Sequence, residues 1–280
     1  MNSTRHPSHP ATDSGPTSKL TVATWNVHHR RSNLAIGADL DKVLATGVQV
    51  LGVNEVGGHE AAVGRTRDNV AHFQARGERG AASSAVLWRT DVLELVRAGT
   101  RRATRRIYVG PRGAGPATMP PKFVTWAQLR HLETSRNVFV LVSHFPATIE
   151  INGRPNVVLR RRLKVNRAMW HANRWLASRF LRRGQVLVLG DLNWNARVDD
   201  GSYADAPKAA ASRMGLETCY EALGLPVSGT MGDRFIDYVL FPSDRPQVIK
   251  ATAQRVFDVN TDNDHRVLSV DLELSPRAAT

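Results

Sequence analysis

Apolar and polar residues alternate along Leu20-Thr21-Val22-Ala23-Thr24-Trp25-Asn26-Val27, the period of a β-strand. From Asn33 to Thr46 the period becomes helical, with Leu34, Leu40, Val43 and Leu44 on one stripe, and Gly47 ends it. Val48 to Val56 is strand-like again and breaks at Gly57-Gly58. Strand, helix and strand over this distance predict a βαβ unit with parallel strands. Ligands of such sheets gather at the carboxyl ends of the strands, which puts Asn26 and Glu55 on one rim. Taken alone, a Glu at the end of an apolar strand also reads as ordinary solvated surface.

Glu60 to Gly80 is polar and carries no clear period. Ser84 to Arg89 and Val92 to Arg97 predict a hairpin with Trp88 packed. Lys122 to Leu132 and Val138 to Ser143 predict another strand pair, which His144 ends. Asn156 to Arg183 predicts a long helix whose interrupted stripe is Leu159, Leu163, Trp170, Leu176 and Phe180. Gln185 to Leu189 reads as a buried strand opening into Gly190-Asp191-Leu192-Asn193. A helical stretch is expected within Ala204 to Leu223. Strands follow over Phe235 to Phe241, which contains Asp237, over Val248 to Val256 and over Val267 to Leu274. Asn263-Asp264-His265-Arg266 leads into the last of these. The two halves each run strand, helix, strand, a duplicated layout without a sequence repeat.

Composition narrows the class. The 280 residues are 42% hydrophobic and 22% charged, enough for a full core. No run approaches the roughly 18 apolar residues of a membrane helix. Residues 1–18 are rich in Ser, Thr, Pro and His without an apolar h-region, so a disordered tail is expected before one catalytic domain over 19–280. A single cysteine, Cys219, excludes a disulfide framework and a cysteine metal cluster. A cytoplasmic monomer without an obligate protein partner is the expectation. The formal charge of +13 attracts polyanions such as nucleic acid or anionic lipid.

The cations are unevenly spread. Arg101, Arg102, Arg105 and Arg106 cluster before a Gly- and Pro-rich loop over Gly110 to Pro121. They read either as a guarded strand edge or as a phosphate-contacting ridge. Nine Lys and Arg and no acid lie between Arg160 and Arg183. Most suit the outer face of a core-packed helix, and Arg160-Arg161-Arg162 at its start is the better substrate contact.

The chemistry centres on Gly190-Asp191-Leu192-Asn193. An acid and an amide two residues apart at the mouth of a strand point the same way. One can take a proton and the other can hold an oxygen, which suits attack by water on phosphorus. An Asx turn closing the strand is the other reading.

Thr24-Trp25-Asn26-Val27, Asn54-Glu55, Ser143-His144, Gly190-Asp191-Leu192-Asn193, Ile236-Asp237-Tyr238-Val239 and Asn263-Asp264-His265-Arg266 occur in this order from Leu20 to Leu274. In this ordered set the sequence resembles the endonuclease/exonuclease/phosphatase superfamily, the deoxyribonuclease-I-like and exonuclease-III-like enzymes. Asn54 stands where the family commonly has Gln, and His28 where relatives place various polar groups.

The resemblance implies an α/β fold: a four-layer α/β sandwich with two packed mixed β-sheets and helices outside. It implies a metal-dependent phosphodiesterase, with a nuclease as the leading reading. A phosphoesterase for phosphoinositides, sphingomyelin or a small phosphate ester is the alternative. Mg²⁺ or Mn²⁺ would be held by Glu55 with Asn26 and Asp264. Asp191 would orient or deprotonate water, and Asn193 would hold that water or a phosphate oxygen. Asp237 would fix His265 on the phosphate, and His144 would stabilise the phosphate or protonate the leaving oxygen. Lys122, Arg101 and Arg105 are candidates for the family's mid-chain phosphate grip, and Arg160 for a further substrate contact.

Overall fold

The computed structural model describes residues 17–77, 80–109, 118–259 and 262–277. Residues 1–16 of the expected tail and 110–117 of the Gly- and Pro-rich loop lie outside these. Ser18, placed in the tail from the sequence, instead opens β1 and pairs with Leu274.

β1 (Ser18–Asn26) leads through α1 (Asn33–Ala45) to β2 (Val50–Asn54), parallel to β1 as expected. The Ser32 hydroxyl caps α1 by accepting the Ala35 N–H. Ile36, Leu40, Val43 and Leu44 of α1 pack with Ala23, Trp25, Leu51 and Val53. Leu34, assigned to the buried stripe from the sequence, is 80% exposed, and Ile36 takes its place. The stretch without a period folds as α2 (Glu60–Val63) and the half-buried strand β3 (Val70–Gln74).

β4 (Ser84–Arg89) and β5 (Leu93–Arg102) follow, then the two-residue strands β6 (Ile107–Tyr108) and β7 (Thr118–Met119), which pair with each other. β8 (Phe123–His131) and β9 (Asn137–Ser143) form the expected pair, and it is antiparallel. The hairpin expected between β4 and β5 does not form. β4 pairs with β2 and β3, whereas β5 pairs with β8. β4 is buried along almost its whole length, so it needs a partner strand on each edge, and the chain crosses to the other sheet at Thr90 to Val92.

A small hairpin, β10 (Glu150–Ile151) with β11 (Arg154–Pro155), precedes α3 (Arg160–Phe180). α3 is shorter than expected because residues 157–159 form a 3₁₀ turn. It returns the chain to β12 (Gln185–Asp191), parallel to β9. α4 (Pro207–Ser212), β13 (Leu216–Thr218), α5 (Cys219–Leu223), β14 (Asp237–Pro242), β15 (Ile249–Phe257) and β16 (Val267–Leu274) complete the chain.

Apart from the β6–β7 and β10–β11 pairs, the strands of the described residues form two six-stranded mixed sheets, β15-β16-β1-β2-β4-β3 and β13-β14-β12-β9-β8-β5. Each is built around one parallel pair, β1 with β2 and β9 with β12, which is the duplicated layout. The sheets pack face to face. At Gly52 a Cβ would come within 2.9 Å of the Val142 side chain, so glycine lets the two central strands close up. α1 covers the first sheet and α3 the second, where Phe180 stacks on Phe139 and Trp170 leans on Phe145. The result is a four-layer α/β sandwich. Among the described residues no helix is long and apolar enough to cross a membrane.

Candidate active site

The four central parallel strands aim their carboxyl ends at one rim. β1 ends at Asn26, β2 leads into Glu55, β9 leads into His144 and β12 ends at Asp191. Two hydrogen bonds tie the sheets together there. The Asn54 Oδ1 accepts the Asp191 backbone N–H at 3.0 Å, and the Asn26 Nδ2 donates to Asp191 Oδ2 at 3.2 Å. Gly190 permits this closeness. Its φ is +145°, and a Cβ there would lie 1.8 Å from the Ser143 carbonyl oxygen. Three non-glycine residues at the rim, His28, Glu55 and Asn193, hold positive φ of 58°, 63° and 54°. Such conformations carry strain that the surrounding contacts must offset.

Asn26 is the hub. Its Nδ2 also donates to Glu55 Oε1 at 3.2 Å, so one amide sits between two carboxylates. Its Oδ1 accepts the His28 N–H at 3.2 Å. His144 Nε2 lies 3.7 Å from both Glu55 Oε1 and Asp191 Oδ2. His265 approaches Asp191 from the other side, its Nε2 at 3.8 Å, while its Nδ1 meets Asp237 Oδ2 at 2.9 Å. Asp237 is fully buried, and its Oδ1 has no partner among the described residues. Asn193 donates its N–H to Asp191 Oδ1 at 2.9 Å and its Nδ2 to the Phe145 carbonyl at 3.0 Å.

These contacts divide the charges. Burial opposes ionisation of Glu55, but His144, two hydrogen bonds from His29 and one from Asn26 outweigh it and hold the carboxyl at about 2. Burial raises Asp191 and the Asp237 charge adds to it; His265 and the hydrogen bonds from Asn26 and Asn193 oppose, leaving it at about 7. Burial alone would lower His265, yet the Asp237 charge and hydrogen bond push it to about 10. Burial and the Lys122 charge bring His144 down to about 3. At neutral pH the rim therefore holds a Glu55 anion, a His265 cation, a neutral His144 and an Asp191 poised between forms.

Solved structures share this architecture. An endonuclease/exonuclease/phosphatase family protein from Bacteroides thetaiotaomicron superposes with a TM-score of 0.65 at 14% identity, over 92% of this chain and 96% of that one. The fold is that of the endonuclease/exonuclease/phosphatase proteins. D. rerio TDP2 complexed with single strand DNA product matches at 0.62 and 12% identity, over 91% of this chain and 99% of that one. A Bacteroides thetaiotaomicron mannosyl-6-phosphatase matches at 0.62 and 14% identity, over 90% and 99%. No protein-family model matches the sequence, and no curated protein does.

Within this endonuclease/exonuclease/phosphatase fold the remaining sequence candidates separate. Lys122 joins the rim, lining a cleft of about 660 Å³ with Glu55, His144 and His29. Enclosure there lowers its ammonium to about 8, against the pull of Asp191 and Glu55. Arg101 instead stacks over Trp175 of α3 at 3.6 Å, on the outer face of the second sheet. Arg105 and Arg160 are exposed, and neither lines the cleft. Asp264 is exposed in a separate shallow depression with Asn263 and Arg266.

Two cleft residues carry no signal in the sequence. His29 donates its backbone N–H to Glu55 Oε2 at 3.1 Å and places its Nδ1 at 2.8 Å from the same oxygen. Arg76 lines the same cleft. Both sit on loops, outside any strand-end pattern.

Proposed function

We propose that this chain is a divalent-cation-dependent phosphodiesterase that hydrolyses the backbone of nucleic acid by in-line attack of water. The observation that carries this reading is the meeting of Glu55 and Asp191, from different sheets, on the Asn26 amide at 3.2 Å each, with His144 beside both and the Asp237–His265 pair behind. Because the site draws on both sheets, the two act as one catalytic unit.

The donor set fits a hard cation. Glu55 is held ionised and lines the cleft beside the Asn26 amide. Among the described residues no group of three or more His, Cys, Asp or Glu side chains is arranged to hold a metal. Mg²⁺ keeps several waters and asks for only one or two carboxylates, so Glu55 with Asn26 suffices. Asn26 turns its NH₂ toward the two acids, so its oxygen serves a cation once the amide reverses. A bound Mg²⁺ or Mn²⁺ supplies charge stabilisation on the phosphate and departing oxygens.

The chain's own groups do the rest. Asp191, at about 7, accepts the proton of the attacking water as the P–O bond to the departing oxygen breaks, and that oxygen takes a proton from solvent. The Asn193 Oδ1 helps to hold that water. His265 stays protonated and gives its Nε2–H to a phosphate oxygen, while Asp237 fixes the ring through Nδ1. His144, neutral, offers one N–H to the phosphate, and Lys122 adds a cation from the cleft wall.

The net charge of +13 favours a polyanionic substrate, and TDP2, of the same fold, is seen with a DNA product. A second reading, hydrolysis of a compact phosphate ester, draws on the cleft itself. Its walls of Gly57, Gly58, Ala75 and Ala82 leave room for one sugar-sized group. Plasmid, single-stranded DNA, RNA, sugar phosphates and lipid phosphates, each with Mg²⁺ or chelator, separate the two. Turnover of nucleic acid with Mg²⁺ supports the first reading. Turnover of the small esters alone supports the second.

A further inference from the structure

At the end of the sandwich opposite the active rim, five arginines meet. Arg136 lies between β8 and β9, Arg182 and Arg183 follow α3, Arg245 follows β14 and Arg277 follows β16, and together they line a depression of about 230 Å³. β9 and β12 start beside it and finish at the active rim, and each has 7 residues. Strands of that length span roughly 20 Å, so the depression is distinct from the catalytic cleft.

The cluster is short of negative charge. Asp244 is the one carboxylate paired to it among the described residues, 3.7 Å from Arg245 Nε. Glu133, nearby in sequence, is taken by the Ser18 hydroxyl. Burial and the Arg277 charge both hold Arg136 below its ordinary value. Cations after a helix C-terminus are ordinary, and that accounts for Arg182 and Arg183. It does not account for arginines arriving from three other parts of the chain.

Two of the five are fixed in place by backbone carbonyls. Arg136 donates to Ser275 O at 2.5 Å and Pro276 O at 2.7 Å, and Arg245 donates to Leu181 O at 3.1 Å. Side chains so held lose little rotamer freedom when their remaining guanidinium N–H groups meet an oxyanion. A further polar group stands in the wall. Gln185 is 3% exposed, and its carboxamide oxygen has no hydrogen-bond partner. Reversal of that amide exchanges the unpaired acceptor for an N–H donor.

We infer that this depression is a binding site for a compact phosphoryl oxyanion, free or carried on a polynucleotide. The volume of about 230 Å³ accepts one or two phosphoryl groups. The inference does not rest on the catalytic reading.

Calorimetric titration of inorganic diphosphate into the full chain tests it. Wild-type protein is expected to bind one equivalent. Arg182→Ala/Arg183→Ala/Arg277→Ala removes three side chains without partners among the described residues, and should weaken binding at least tenfold. Glu55→Gln should bind as wild type does. If the triple variant fails to fold, Arg277→Ala alone carries the test with a smaller loss. In the Glu55→Gln protein, a short oligonucleotide that displaces diphosphate identifies backbone phosphate as the source, and one that does not identifies a free oxyanion. No binding at millimolar diphosphate, or binding untouched by the folded arginine variants, would overturn the inference.

Discussion

The Asn54 side-chain oxygen accepts the backbone N–H of Asp191 at 3.0 Å, joining the end of β2 to the end of β12 across the sandwich. Its Nδ2 donates to the Ser84 hydroxyl at 2.9 Å, so both halves of the amide are used in a fully buried position. A first expectation follows. Asn54→Leu keeps the volume and leaves the Asp191 N–H unpaired, at a cost of about 1–3 kcal/mol. In a chain of this size that lowers Tm by roughly 2–4 °C per kcal/mol. Thermal unfolding checks it, and an unchanged Tm would show that the bond contributes nothing.

The Asp237–His265 pair sets a pH expectation. The folded pKa of His265, about 10, is raised above its ordinary 6.5. The stabilisation is fully present below 6.5 and is lost as pH rises through 10. Asp237→Asn removes the largest group raising it, so the His265 titration should move down. Histidine NMR across pH 5 to 11 reads the shift, and an unmoved resonance would separate the two residues.

Asp191→Asn tests the proton acceptor. The substitution keeps size and can keep the Asn193 N–H bond. Asp191 titrates near 7, so wild-type turnover should rise through that pH, and the variant should lose both the limb and most of kcat. KM should change little, because Glu55, Lys122 and the basic surface remain. The stability sign runs the other way. A carboxyl raised from 3.8 to about 7 costs the fold stability as pH rises through that window, so Asp191→Asn should melt no lower than wild type at pH 8. A lower Tm with near-normal kcat would make Asp191 a turn former.

The sequence made the rim legible because parallel strands deliver their ends to one place. Asn26, Glu55, His144 and Asp191 follow apolar runs whose period is unambiguous, and the structure brings them within hydrogen-bond or ion-pair range. Pairing partners were less legible. β4 and β5, three residues apart, look locally like a hairpin, and only the burial of β4 sends them to different sheets. β3 escaped notice because none of its residues is fully buried. Arg101 reads in the sequence as either a guarded strand edge or a phosphate contact, and the structure places Trp175 under its guanidinium. His29 was invisible because its reach to Glu55 depends on positive φ at His28 and Glu55, which no residue pattern announces.

Glu55 decides the cation assignment, since it lines the cleft and is held ionised. The decisive measurement is Mg²⁺-dependent cleavage of single-stranded DNA, RNA and plasmid by wild-type and Glu55→Gln protein, each melted first to confirm folding. The expected result is wild-type turnover abolished by chelator and restored by Mg²⁺, with the variant slower by at least about a hundredfold at saturating Mg²⁺, the order expected when a charge that anchors the cation is lost. A folded Glu55→Gln protein that cuts at the wild-type rate, or wild-type turnover indifferent to chelator, would contradict the account.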